Sequence, residues 1–180
     1  MRFSLYCADS DFCDFLRKSD FCVPFTMDKK KTRPFVGIVL NINGFKYYAP
    51  LTSPKEKHKT MKDQIDFLKI KDGELGAINF NNMIPILDDC LKKVDLDILP
   101  TDTDEIRAYK NLLTNQISWC NETLHMREIL AKAKHLYTAI VGNTASDNLK
   151  KRCCNFSLDE IQCKLYAKNI DEKNSEIARI

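Results

Sequence analysis

The sequence predicts an α+β fold: a small curled antiparallel β-sheet or barrel with long helices appended. Two observations carry this. In the first ninety residues, short apolar, β-branched runs alternate with tight turn signals. From Thr101 to Val141 there is neither glycine nor proline, and apolar residues recur at helical spacing. A chain of 180 residues with 44% hydrophobic content can bury a core as one domain. We expect residues 1–100 to be mostly β with an N-terminal helix, 101–168 a helical layer and 169–180 a polar tail.

Arg2 to Tyr6 reads as a strand. Ser10 is a plausible cap for a helix carrying Phe12, Phe15 and Leu16. Pattern is lost from Phe21 to Pro34, a loop that includes the basic run Lys29, Lys30, Lys31 and Arg33. The chain is organised around the next stretch, FVGIVLNINGFKYYAPLTSPKEKH, residues 35–58. Phe35 to Leu40 is one arm, Asn43-Gly44 the strongest local hairpin signal, and Phe45 to Leu51 the return arm. It delivers a polar, cationic loop: Thr52, Ser53, Pro54, Lys55, Lys57 and His58.

Further strands are expected at Asp66 to Ile70 and Leu75 to Phe80, joined by the turn Lys71-Asp72-Gly73. Met83 to Leu87 is another short run, which Pro85 demotes to an edge strand or strand end. In the second half, Ile106, Tyr109, Leu113, Ile117, Cys120 and Leu124 form one helical stripe. Leu130, Ala133, Tyr137 and Val141 form a second, after a break near Asn121. Gly142-Asn143 ends this region, and Ser157-Leu-Asp-Glu160 is a capping box ahead of one more helix.

Composition excludes several classes. There is no apolar run long enough to cross a membrane. Asp9, Asp11 and Asp14 interrupt any secretion-signal pattern, so a cytoplasmic location is expected. A net charge of +3 is no nucleic-acid signal by itself; only clustering could be one. The eight cysteines, at 7, 13, 22, 90, 120, 153, 154 and 163, contain no C-x-x-C pair. They read as small buried hydrophobes in a reducing compartment.

No phosphate-binding glycine loop, dinucleotide fingerprint or H-E-x-x-H is present. His58, His125 and His135 make no metal-ligand pattern, and neither a metal nor another cofactor is expected. Ser53 lacks the G-x-S-x-G elbow of acyl transfer. What remains is a Thr-Ser-Pro-Lys loop among lysines, whose charges neutralise phosphates while hydroxyls donate to phosphoryl oxygens. Lys46, Lys55, Lys57 and Lys59 lie on or beside the same hairpin. A basic loop after a strand is common, so this pattern alone is a weak signal.

Longer motifs sharpen it. Gly37 to Leu40, Ala49 to Lys55 with His58, Leu75 to Ile86 and a late Asn155 to Leu158 resemble the ToxN/AbiQ family of type III toxin–antitoxin endoribonucleases. The resemblance implies a compact MazF-like, SH3-like barrel with extra helices. It also implies an RNA-cutting toxin of a phage abortive-infection system, acting on cellular or phage RNA. A small repeat-derived antitoxin RNA would inhibit it within a closed multi-subunit assembly. The family's functional groups map onto Thr52, Ser53 and Lys55, with a basic residue before the first central strand. Relatives carry lysine there, and this chain has Arg33, which keeps the charge but cannot exchange a proton near neutral pH. Trp119 stands where relatives have phenylalanine, and Phe12 where they have tyrosine.

The groups available suggest attack by the substrate's own 2′-hydroxyl, giving a 2′,3′-cyclic phosphate and a 5′-hydroxyl. Lys55 and Arg33 would stabilise phosphoryl charge, and Ser53 with Thr52 would orient the phosphate or relay a proton. Lys55 and His58 are both candidates for the general base. Lys29, Lys30, Lys31, Lys46, Lys57 and Lys59 would hold RNA, and Tyr48 and Trp119 are the aromatics placed to stack on a base. The rival reading is a module that binds structured RNA without cutting it.

Overall fold

In the computed structural model, which describes residues 2–25, 33–62 and 64–177, the central hairpin forms as its sequence requires. Strands β2 (Phe35–Ile42) and β3 (Phe45–Thr52) pair with Asn41 opposite Lys46 and Ile42 opposite Phe45. That register leaves Asn43-Gly44 as a two-residue turn. Both turn residues have positive φ, 53° and 82°, which asparagine and glycine adopt at least cost.

β1 (Ser4–Ala8) runs antiparallel to β2, and β7 (Leu91–Lys93) to β1. On the other side, β5 (Ala77–Asn79) pairs with the end of β3, and β4 (Phe67–Lys69) with β5. β6 (Ile84–Pro85) is two residues long and pairs with Tyr47 and Tyr48, the strand end that Pro85 announced. Among the described residues these seven strands form one antiparallel sheet, ordered β4-β5-β3-β2-β1-β7 with β6 beside β3. The sheet is open, with β4 and β7 at its ends, so of the two expected forms it is the sheet and not the closed barrel.

Helix α1 (Ser10–Arg17) is capped by Asp9, one residue before the expected Ser10: its Oδ1 accepts from the Phe12 amide at 2.9 Å. A short α2 (Glu56–Thr60) follows the β3 loop, where only a polar stretch was expected. Helices α3 (Asp104–Cys120) and α4 (Thr123–Val141) separate at Asn121, as expected. The Asn121 amide explains why: it accepts from the Phe3 amide at 2.8 Å and donates to the Phe3 carbonyl at 3.1 Å, tying the joint to the sheet. α5 (Asp147–Arg152) and α6 (Phe156–Ile177) complete the chain, and the polar stretch from 169 continues as the last turns of α6.

The core lies between the sheet and α1, α4 and α6. Tyr47 is its centre. Its ring meets Tyr137 and Phe156 edge-on, and its hydroxyl donates to Glu160 Oε1 at 2.8 Å, as does that of Tyr137. Phe3, Phe12, Phe35, Ile84 and Phe156 are fully buried around it, each stabilising by about 1.5–3 kcal/mol. The α3 stripe is only partly used. Leu113 and Cys120 are buried, but Ile106 and Tyr109 are exposed, as is Leu124, which falls on α4, and Gln116 is buried in their place. All eight cysteines are free and six are buried, as expected of small hydrophobes. No helix among the described residues is long and apolar enough to cross a membrane.

Candidate active site

Five of the residues singled out from the sequence line one cavity of about 310 Å³: Arg33, Thr52, Lys55, Lys57 and His58. The hairpin explains the convergence. Arg33 enters β2 and Thr52 leaves β3, and the two strands are antiparallel neighbours whose register sets Phe35 opposite Pro50. Lys55 then caps the start of α2, one turn of which carries Lys57 and His58 back over the sheet end. Ser53 is exposed on the loop between Thr52 and Lys55.

Two side-chain polar atoms of residues that line the cavity, Thr52 Oγ1 and His58 Nδ1, are shielded from solvent and have no partner among the described residues. Such atoms are costly to leave unsatisfied, and a group bound beside them after a small shift of the loop would give them partners. His58 is 2% exposed, with its ring tilted against Phe67 at 5.7 Å. Burial, and then the charges of Lys55 and Lys57, lower its pKa from the ordinary 6.5, favouring the neutral imidazole. Burial also lowers the pKa of Arg33, although a guanidinium stays charged.

The loop is held by groups the sequence reading missed. Gln116, 1% exposed on α3, donates from one side-chain nitrogen to the Thr52 carbonyl at 3.2 Å and the Leu75 carbonyl at 2.5 Å. Gly76, at φ +100°, lets β5 begin directly against this loop; a Cβ there would lie 2.0 Å from the Thr52 carbonyl oxygen. Gly73 makes a similar approach to the His58 backbone.

The far wall comes from α5. Arg152 Nε donates to Asp66 Oδ2 at 2.7 Å, and its Nη2 donates to Asp66 Oδ1 at 3.1 Å and Gln64 Oε1 at 2.9 Å. All three residues line the cavity. The only signal for Arg152 in the sequence was the cationic run Lys150-Lys151-Arg152 after a Ser146 cap. Among the described residues the cavity therefore carries Arg33, Lys55, Lys57 and Arg152 against one carboxylate, Asp66, which Arg152 already pairs. An anionic ligand fits it.

The remaining expectations fall elsewhere. Lys46 pairs with Asp88 at 2.6 Å, and Lys59 with Glu56 at 2.9 Å, both outside the cavity. Tyr48 is 2% exposed, its ring packed over Gly37 and edge-on to Tyr6. A Cβ on Gly37 would lie 2.1 Å from that ring, so the glycine exists to seat it. Trp119 is half-buried, stacks on His125 at 3.6 Å, and is not among the residues that line the cavity. Phe12, where a tyrosine hydroxyl was at issue, is fully buried in the core. Lys29, Lys30 and Lys31 lie outside the described residues.

Comparison with known proteins gives the site a context. Residues 4–164 match the family model described as toxin ToxN of type III toxin–antitoxin systems. The endoribonuclease ToxN of Pectobacterium atrosepticum is 30% identical over 175 residues, covering 93% of this chain and 95% of that one. A solved structure reported for selective toxin inhibition by a non-coding RNA pseudoknot in type III systems superposes with a TM-score of 0.75. It is 26% identical, over 93% of this chain and 99% of the other. Another, reported for a processed non-coding RNA that regulates a bacterial antiviral system, gives a TM-score of 0.72 at 31% identity, over 91% and 98%.

Proposed function

The chain belongs to the ToxN family of type III toxin–antitoxin toxins and is an endoribonuclease, and from that premise we propose how its cavity cuts RNA. The substrate's own 2′-hydroxyl attacks the adjacent phosphate, and the products are a 2′,3′-cyclic phosphate and a 5′-hydroxyl. One observation carries the reading: four cations line one cavity, and two residues of the same lining, Thr52 and His58, hold buried polar atoms, Oγ1 and Nδ1, with no partner among the described residues.

Arg33 and Lys55 bear on the phosphoryl oxygens, where charge grows in the transition state. Thr52, once its loop shifts to uncover the hydroxyl, donates to the same oxygens, and Ser53, exposed on the adjoining loop, orients the phosphate or relays the proton to the leaving 5′-oxygen. Between the two candidate bases, the surroundings favour His58. It is held neutral by burial and by the neighbouring lysines, and its free nitrogen can accept the 2′-hydroxyl proton. Lys55 is exposed and suits the role of a charge. The donor set supports a cleavage step without a metal, because the cavity's carboxylate is already paired with Arg152.

By the same reading, a structured antitoxin RNA occupies this face in the cytoplasm, as a non-coding RNA pseudoknot inhibits the related toxin. RNA and protein would close into a multi-subunit assembly that holds the toxin silent until phage infection. The test is direct. End-labelled RNA incubated with the purified protein in EDTA should yield cyclic-phosphate and 5′-hydroxyl ends. Intact RNA under all conditions, with tight binding, would instead mean a binder that does not cut.

A further inference from the structure

We propose that Asp20, Cys154 and Asp159 form a buried site for one divalent transition-metal ion of the zinc type, structural in role and lying behind the wall of the active cavity. One oxygen from each aspartate and the Cys154 Sγ all lie within 4.8 Å of one another, and the three side chains are buried. Bonds of about 2.0–2.3 Å to one ion would set tetrahedral ligands roughly 3.3–3.8 Å apart, so closing on it needs about 1 Å of movement.

A second observation points to a ligand. Asp159 is 0% exposed, and neither of its oxygens has a hydrogen-bond partner among the described residues. No lysine, arginine or histidine among the described residues pairs with Asp159 or Asp20. A buried carboxylate in that position is unfavourable unless it is neutralised, by a proton or by a cation set against it. Its neighbours on that side are the Asp20 oxygen and the Cys154 sulfur.

Asp20 is already oriented as a ligand. Its Oδ1 accepts from the Cys22 amide at 2.8 Å and its Oδ2 from the Asn155 amide at 2.6 Å, each oxygen keeping a second lone pair. Sulfur beside carboxylates selects zinc-type ions over magnesium or calcium, which prefer oxygen alone. Binding releases the Cys154 thiol proton to solvent as the metal–thiolate bond forms. Asp20 also lines a cleft of about 500 Å³ with Cys22, Cys153 and Asn155, which opens one of the three ligands to solvent, and a water would complete the tetrahedron.

The position of the site gives it a purpose. The Cys154 amide donates to the Asn81 carbonyl at 2.8 Å, and the Asn81 side chain donates to the Arg152 carbonyl at 3.0 Å. Asn81 and Arg152 both line the active cavity. The ion would fasten the α5–α6 junction to the segment after α1, holding Arg152 in place from behind without touching RNA.

Cobalt and zinc binding to the purified full-length protein test this without reference to cleavage, so failure of the catalytic reading leaves it unaffected. Titrated Co²⁺ should give a thiolate charge-transfer band that saturates at one equivalent and is displaced by Zn²⁺. Asp159→Asn, matched in size but uncharged, should weaken Zn²⁺ binding by roughly tenfold or more, and Cys154→Ser should abolish the band. Absence of the band in the wild-type protein overturns the proposal, as does unchanged Zn²⁺ affinity in Asp159→Asn. A more heat-stable Asp159→Asn with no wild-type zinc binding would assign the carboxyl a proton instead. Should Cys154→Ser fail to fold, the wild-type spectrum and the asparagine variant decide.

Discussion

At the scale of single residues, Ser53 and His58 have opposite surroundings, and the predictions differ accordingly. Ser53 is exposed, so Ser53→Ala leaves no cavity and should keep the fold and antitoxin binding. Cleavage should fall about 10²–10³-fold if its hydroxyl acts in the transition state; a wild-type rate in a labelled-RNA assay, or undiminished toxicity in cells, sinks the assignment. His58 is buried, and its pKa in the folded chain lies below 6.5. The base-competent neutral form therefore persists below pH 6.5, and the acid limb of kcat/KM should lie beneath that value. The same shift bears on folding. Above 6.5 the stabilisation is fully present; as pH falls toward the folded pKa the unfolded chain binds more protons and stability is lost. An acid limb at or above 6.5, or one that survives in the residual activity of His58→Ala, would move the base elsewhere.

At the scale of elements, legibility follows from whether a signal is local. The β2–β3 hairpin could be read because Asn43-Gly44 dictates its turn by backbone geometry alone; that Arg33 comes beside Thr52 depends also on a register shift between Gly37 and Leu40, which no local signal announced. α2 and α5 were missed because five and six residues are too few to show a period, and Lys55 caps α2 with no side-chain bond. Arg152 could not be read into the site, since its partner Asp66 is 86 residues away and joins it only through tertiary packing. Gln116 was hidden differently: it sits on an apolar stripe, where a buried amide looks like an interruption. As a positioning residue it predicts a specific outcome. Gln116→Ala strips the donor from the Thr52 and Leu75 carbonyls, at about 1–3 kcal/mol of stability. Loosening of the loop should lower kcat for RNA about tenfold or more while KM changes little. Gln116→Glu, which keeps the size but turns the donor into an acceptor, should do no better. An equal rise in KM with kcat unchanged would mean that Gln116 supports RNA binding alone.

At the scale of the whole molecule, the charge layout separates cutting from holding. The cavity's cations suffice for a scissile phosphate, so brief EDTA treatment should leave cleavage intact. Loss of cleavage in still-folded protein, restored by Mg²⁺ or Mn²⁺, would require a metal-assisted step. The lysines beyond the cavity need another purpose. In sequence, Lys29, Lys30 and Lys31 precede the hairpin, and Lys59 and Lys62 follow the cavity lysines Lys55 and Lys57, more charge than one phosphate can use. A strand of antitoxin RNA running past the site would engage both sets, and inhibition would then be occupancy of the cavity. Each phosphate neutralised by a lysine contributes about 0.7 to the log–log salt slope for single-stranded RNA. Replacing Lys29, Lys30 and Lys31 together should therefore flatten that slope by about 2 and weaken protection by the antitoxin, while a short substrate is still cut at close to the wild-type rate. Filter binding across a salt series gives the slope directly. If affinity and slope are both unchanged in the triple variant, the run before the hairpin is a solvated loop and the antitoxin is held on other surfaces.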